Sequence, residues 1–236
     1  MGRAIGVILA GGTGSRVGGE VPKQLLNLAG RPLMEHSVAA FQQADGIDEI
    51  IVVMQPDHLA QAWAIASRYP KATRVLPGGA NRSASTVVAL KHLSKAAPLD
   101  AKVLIHDAAR PLVTPEWIDE VLVALDSFDA VSLAIPSADT VFEVTDEGRV
   151  VGTPPRSRLR RVQTPQGFRL GTISGAYGRA LADIDYDAAT DDCSVVFRYL
   201  PDVPVAAVLG ADDNIKVTSA SDLGLAEYLL GARLAA

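Results

Sequence analysis

The run Ile5-Gly6-Val7-Ile8-Leu9-Ala10-Gly11-Gly12-Thr13-Gly14-Ser15-Arg16 decides the fold. Its first six residues form a short apolar stretch of strand length, and the glycines that follow it mark a tight turn. Similar apolar runs recur at Glu49 to Met54, Lys102 to Ile105, Ala130 to Ile135 and Val205 to Leu209. Recurring apolar spacing predicts helices over Leu33 to Gln43, His58 to Arg68, Ser83 to Lys95, Pro115 to Leu125, Leu170 to Leu181 and Leu223 to Leu230. Strands alternating with helices predict an α/β fold with a mostly parallel sheet. One segment breaks the alternation: Thr140 to Val144, the turn Asp146-Glu147-Gly148 and Val150-Val151 read as a hairpin, followed by a basic, proline-containing stretch. Residues 137–163 are therefore expected to protrude as a β-arm from one domain spanning 1–236, with an ordinary surface hairpin as the alternative.

The 236 residues can bury a sizeable core. No apolar run approaches the roughly 18 residues of a membrane span, and the N-terminus lacks a signal-peptide core, so a soluble, cytoplasmic protein is expected. The formal charge of −5 argues against a nucleic-acid partner, because phosphate backbones are held by broad basic surfaces. An anionic ligand would need a local cationic pocket. The single cysteine, Cys193, excludes an intrachain disulfide and reads as a buried small side chain.

Glycines 11, 12 and 14 permit backbone N–H groups to approach a ligand phosphate, although a structural turn has the same composition. Two cations follow at Arg16 and in Pro22-Lys23-Gln24, where Pro22 keeps Glu20-Val21 out of a regular helix and presents Lys23. A cation about 4 Å from a phosphate charge gains roughly 4 kcal/mol at an effective dielectric near 20, before desolvation is subtracted. A P-loop is excluded, since the lysine follows a proline and precedes Gln24. A dinucleotide fingerprint is excluded as well, with Val17 where the third glycine belongs and Met54-Gln55 where the ribose-binding acid belongs.

Ala10 to Arg16 with Pro22-Lys23-Gln24 resembles the 2-C-methylerythritol 4-phosphate cytidylyltransferases and their ribitol 5-phosphate relatives. Further matches run along nearly the whole chain: Gly78-Gly79 with Arg82 and Ser85, His106-Asp107-Ala108-Ala109-Arg110-Pro111, Asp139-Thr140, Arg156 with Thr164-Pro165-Gln166, Thr190-Asp191-Asp192, and Asn214-Ile215-Lys216-Val217-Thr218. The resemblance implies a Rossmann-like nucleotidyltransferase domain that joins the CMP part of CTP to a polyol phosphate and releases pyrophosphate. Arg16, Lys23 and Lys216 would then stabilise the transition state. The nucleotide would rest on Ala10, Gly11, Gly12, Gly14, Gly79, Arg82, Ser85, Asp107 and Arg110, and Asp107 would bind Mg²⁺. Thr140, Arg156, Thr164, Thr190 and Asp191 would hold the acceptor. A homodimer with composite sites is implied too, because the family's arm crosses to a second subunit.

Some roles stay open at this level. Arg110 would either contact phosphate or brace Asp107. His106 reads as a structural histidine, with no second histidine at zinc-ligand spacing. The main reading for the acceptor is methylerythritol phosphate and the alternative is ribitol 5-phosphate. Ala10-Gly11-Gly12 and Phe142 lean towards the ribitol relatives, whereas Asp107 to Pro111 and Thr190-Asp191-Asp192 lean the other way. A catalytically silent nucleotide-binding module and a sugar-1-phosphate nucleotidyltransferase are the remaining readings, but the latter leaves the Thr164-Pro165-Gln166 and Thr190-Asp191-Asp192 groups without a purpose.

Overall fold

Strand β1 (Ala4–Ala10) is buried at every position because helices cover both of its faces. Ile8 packs with Val38 and Phe41 on one side, while Ile5, Val7 and Leu9 pack with Leu90 and Leu93 on the other. Gly6 is required between them: a Cβ there would lie 2.4 Å from the Phe41 ring. The computed structural model describes residues 2–12 and 22–235. Arg16 and Gly14, both expected in the site, lie outside the described residues.

The remaining strands are β2 (Asn27–Leu28), β3 (Arg31–Pro32), β4 (Glu49–Met54), β5 (Ala72–Pro77), β6 (Lys102–Asp107), β7 (Ala130–Pro136), β8 (Glu143–Val144), β9 (Val150–Gly152), β10 (Arg160–Arg169) and β11 (Val205–Leu209). The helices are α1 (Leu33–Gln43), α2 (Leu59–Ala66), α3 (Arg82–Ala96), α4 (Pro115–Ala124), α5 (Leu170–Ala180), α6 (Asp192–Tyr199) and α7 (Ala220–Ala235). Seven strands form one sheet in the order β11-β7-β10-β6-β1-β4-β5. All neighbours are parallel except β10, which runs antiparallel to both β6 and β7. The expected α/β architecture with a mostly parallel sheet is what the chain adopts.

Helices α1, α2 and α4 supply one apolar layer and α3, α5 and α6 the other. A third, smaller cluster of Leu28, Leu33, Leu112, Val217 and Ala226 docks α7 and the segment before it. That cluster brings residues 214–217 back to the carboxyl ends of β1 and β6, where Leu9 pairs with Asp107. Ligands of open α/β sheets collect at this edge.

Strands β8 and β9 form the hairpin read from the sequence, with Gly148 at φ 80° in its turn. The expected end of the arm falls inside β10, since Arg160 to Val162 already pair with β7. Helix α6 and strands β5 and β10 had no counterpart among the predicted elements. Helix α7 begins at Ala220, ahead of the expected Leu223, because Asp222 Oδ2 accepts from the backbone N–H groups of Thr218 and Ser219 and fastens its first turn.

Candidate active site

Two cavities meet at this edge of the sheet. The first, about 250 Å³, is lined by Gly11, Gly12, Lys23, Asn81, Ser85 and their neighbours. The second, about 160 Å³, is lined by Arg110, Thr164, Thr190 and Asp191 among others. Arg82, Asp107 and Lys216 line both and form the wall between them.

Asp107 closes β6 and is nearly buried. Its Oδ1 accepts from Arg82 Nε at 2.9 Å and its Oδ2 from Lys216 Nζ at 2.7 Å. Burial opposes ionisation of this carboxyl, but Arg82 and then Lys216 outweigh it and hold the group well below the usual carboxylate range. Arg82 is the first residue of α3, behind an Asn81 cap whose Oδ1 accepts from Ala84 N at 2.8 Å. Its charge is opposed by burial and favoured by Asp192 and Asp107, and the balance raises its pKa above the ordinary value. Arg82 is thus largely buried between two carboxylates at the start of α3.

Lys216 is placed by its neighbours on the chain. Val217 N donates to Ala109 O at 2.7 Å, and the buried Asn214 donates to Thr164 O at 3.1 Å. Arg110 is committed to the same purpose: Nη1 donates to Asn214 O at 2.8 Å and Nη2 to Val162 O at 3.2 Å. These bonds tie two backbone segments together on the rim of the second cavity, and the guanidinium stays within electrostatic reach of Asp107. Lys23 opens a short 3₁₀ turn behind Pro22, and its Nζ donates to Val217 O at 2.9 Å. Lys23 and Lys216, 193 positions apart in sequence, thus share the first cavity.

Ser85 Oγ lines the first cavity and accepts from Gly79 N at 3.1 Å. Gly79 faces an adjoining groove, where a Cβ would fall 2.8 Å from the backbone of Ala84. Ala10 is buried in the sheet and lines neither cavity. Thr140 and Arg156 sit on the exposed arm, with Arg156 Nη1 on Ala138 O, and they line neither cavity of their own chain.

Residues with no assigned role hold the second cavity in shape. Gln166 Nε2 donates to Asp191 Oδ1 at 3.0 Å, while its Oε1 accepts from Asp192 N at 2.9 Å, so it seats the start of α6. Asp191 caps that helix by accepting from Ser194 N at 3.0 Å. Asn81 and Gln163 are absent from the sequence reading, and Asp192 stands there in a motif without a role of its own. For Asn81 the signal was there, in an asparagine one position before a helix start.

His106 is fully buried, and burial, outweighing the nearby Asp107 carboxylate, lowers its pKa to about 4. Its Nε2 faces Arg110 O at 3.1 Å and its Nδ1 faces Thr164 Oγ1 at 3.0 Å. The carbonyl can only accept, so Nε2 carries the hydrogen and Thr164 donates to Nδ1. Thr164 Oγ1 in turn accepts from Asp107 N at 3.1 Å, so the histidine indirectly sets the position of the carboxylate. An unfolded histidine near 6.5 binds a proton that the folded one refuses. Stability is therefore full above pH 6.5 and is lost as pH falls towards 4. Between pH 7 and 5 the loss from this group is about 2 kcal/mol. Denaturant unfolding at both values should show it, with the same sign from His36, whose pKa burial also lowers. A His106→Gln variant should lose most of that slope; an unaltered slope would mean that His106 is not buried in neutral form.

Among the described residues no helix is long and apolar enough to cross a membrane. Residues 4–232 match the family model of 2-C-methyl-D-erythritol 4-phosphate cytidylyltransferase, IspD. The chain is 50% identical over 234 residues to a protein of that name from Thermobifida fusca, covering 97% of this chain and 93% of that one. It is 40% identical over 235 residues to a bifunctional ribulose 5-phosphate reductase/CDP-ribitol pyrophosphorylase of Haemophilus influenzae, of which it spans 48%. Among solved structures, the 4-diphosphocytidyl-2C-methyl-D-erythritol synthase of Anaerococcus prevotii superposes with a TM-score of 0.85 at 29% identity, covering 98% of this chain and 96% of that one. A match of this extent accounts for both the sheet and the chain segments that build the two cavities, and the chain belongs to the 2-C-methyl-D-erythritol 4-phosphate cytidylyltransferase family.

Proposed function

We propose that this protein transfers CMP from CTP to 2-C-methyl-D-erythritol 4-phosphate, giving the CDP-polyol and pyrophosphate. The observation that carries the reading is the shared wall: a glycine-lined cavity and a threonine-lined cavity meet at Arg82, Asp107 and Lys216. CTP in the first would bring its α-phosphorus to that wall, and the acceptor in the second would bring its phosphate oxygen to the other side. The oxygen attacks phosphorus, a phosphoanhydride bond forms, and the bond to pyrophosphate breaks. Such transfers ask the protein for positioning and positive charge, with no covalent nucleophile. Lys216 faces both reactants and Lys23 faces the nucleotide, in keeping with that demand.

A magnesium ion fits this donor set. Among the described residues no cluster of three or more His, Cys, Asp or Glu side chains could cage a metal, but Mg²⁺ is commonly held by one carboxylate together with substrate phosphates. Asp107 stays ionised, borders both cavities and offers hard oxygen donors. When bound, the ion would supply Lewis-acid neutralisation of the triphosphate.

The homodimer is part of the same proposal. Val141, Phe142, Val144, Val150 and Val151 are exposed on the arm, and Thr140 and Arg156 lie beside them, outside the chain's own cavities. A second copy receiving the arm would cover these side chains and gain an acceptor-phosphate ligand; a monomeric mass by light scattering would remove this part. Reliance on CTP supports a cytoplasmic setting.

The test is pyrophosphate release with CTP, Mg²⁺ and either methylerythritol 4-phosphate or ribitol 5-phosphate. The expected result is a kcat/KM at least about tenfold higher for methylerythritol phosphate, as differential contacts of one to two groups supply. The reverse preference would transfer the assignment to the ribitol enzymes. CTP binding by calorimetry with no turnover on either acceptor would leave a silent nucleotide-binding module.

A further inference from the structure

Asp192 is a carboxylate with no contact to either cavity and no exposure to solvent. Such a group is costly to bury unless every oxygen is paired. Its Oδ1 accepts from Tyr177 Oη at 2.6 Å and its Oδ2 from Arg82 Nη1 at 2.8 Å. Arg82 passes the restraint on through Nε to Asp107 Oδ1, whose other oxygen meets Lys216. The result is a continuous chain Tyr177–Asp192–Arg82–Asp107–Lys216, in which two acids alternate with two cations.

We propose that Asp192 is a positioning residue for the transfer reaction, fixing Arg82 so that the Asp107 carboxylate and Lys216 keep their aim at the wall between the two cavities. This rests on the function proposed above. A guanidinium held on one side alone would be drawn towards an incoming triphosphate and would pull away from Asp107. Held by two acids 85 positions apart in sequence, it stays put while phosphates arrive. The asymmetry in the cluster supports this: Arg82 spans two carboxylates, whereas among the described residues Lys216 is paired with Asp107 alone.

The distinguishing readout is a split between kcat and KM. Asp192→Asn preserves shape and removes a negative charge, which leaves the nucleotide cavity more attractive to CTP. The variant should lose about tenfold or more in kcat while its KM for CTP stays level or falls. In an Arg82→Gln background the same substitution should alter kcat by less than about twofold, because its route of action is already cut. A well-folded Asp192→Asn protein with kcat within twofold of the parent overturns the proposal. So does a decrement that persists in full in the Arg82→Gln background, or a loss expressed as a raised KM with a lowered melting temperature, which is the pattern of a structural residue. Should Asp192→Asn fail to fold, Tyr177→Phe frees one oxygen and keeps the charge pair; it should lower kcat severalfold at constant KM, and an unchanged kcat overturns the idea equally. Parent enzyme run alongside separates the two claims, since an inactive parent sinks the proposed function and an active parent with indifferent variants sinks only the role of Asp192.

Discussion

Replacing Lys216 by alanine should lower kcat about 10²- to 10³-fold, the usual consequence of removing one preorganised charge from a transition state. Lys216 is the lysine that borders both cavities, so its ammonium can follow negative charge as it passes from the attacked phosphorus to the departing pyrophosphate. Its loss has a second effect: Asp107 Oδ2 would lose the cation that, among the described residues, is held against it, and an undercompensated carboxylate would repel the incoming triphosphate. KM for both substrates should therefore rise modestly, well below the fall in kcat. The side chain is about two-fifths exposed, so its removal creates no core cavity, but it takes a partner from the nearly buried Asp107 and the melting temperature should fall modestly. Lys216→Arg retains the charge in a larger, planar head and should recover part of the rate. A folded Lys216→Ala protein within fivefold of the parent would remove this lysine from the chemistry.

The apolar runs of β1, β4, β6 and β7 were legible because a sheet covered on both faces demands continuous hydrophobic stretches, and the edge strand β11 keeps an apolar run although its residues are half-buried or exposed. Strand β10 was illegible for the opposite reason. It carries Pro165 and a series of polar residues, Gln163, Thr164 and Gln166, which argue against a central strand by every local rule. The fold accommodates them through a register shift between Val162 and Gln166, where the ladder to β7 is interrupted. Their side chains are buried because they bond to distant groups: Gln163 to Ala211 O, Thr164 to His106, Gln166 to the start of α6. Where sequence reasoning failed on the strand, it had still picked Thr164 for the site.

The site shows the same division. Gly11, Gly12, Lys23, Ser85, Asp107 and Lys216 carry a local or family signature, and the structure brings them to one cavity. What could not be read was how each is held. Arg110 grips two carbonyls from segments about 50 and 100 positions away, and no local pattern records a long-range backbone partner. Asp192 was visible as a letter beside Asp191, yet one caps a helix on the cavity rim and the other is sealed behind Arg82. Adjacent residues at a helix start point in different directions, and only the packing of α6 on α5 says which one meets the arginine.

Lys23→Ala should lower kcat about 10²-fold and, unlike Lys216→Ala, should act on one substrate only. Lys23 borders the glycine-lined cavity and is absent from the wall of the other, so its ammonium lies on the nucleotide side and away from the acceptor. KM for CTP should rise severalfold while KM for the polyol phosphate stays within about twofold, as expected when a contact to one ligand is removed. The geometry adds a structural share to the loss, because Lys23 Nζ donates to Val217 O and so ties the segment after Pro22 to the segment carrying Lys216. Lys23→Met keeps the aliphatic stem and discards both the charge and the donor, so it should resemble alanine in rate and the parent in melting temperature. Steady-state kinetics with each substrate varied in turn decides the matter. If the KM of the acceptor rises while that of CTP does not, the two cavities have been assigned to the wrong substrates, and the direction of attack across Arg82, Asp107 and Lys216 must be reversed.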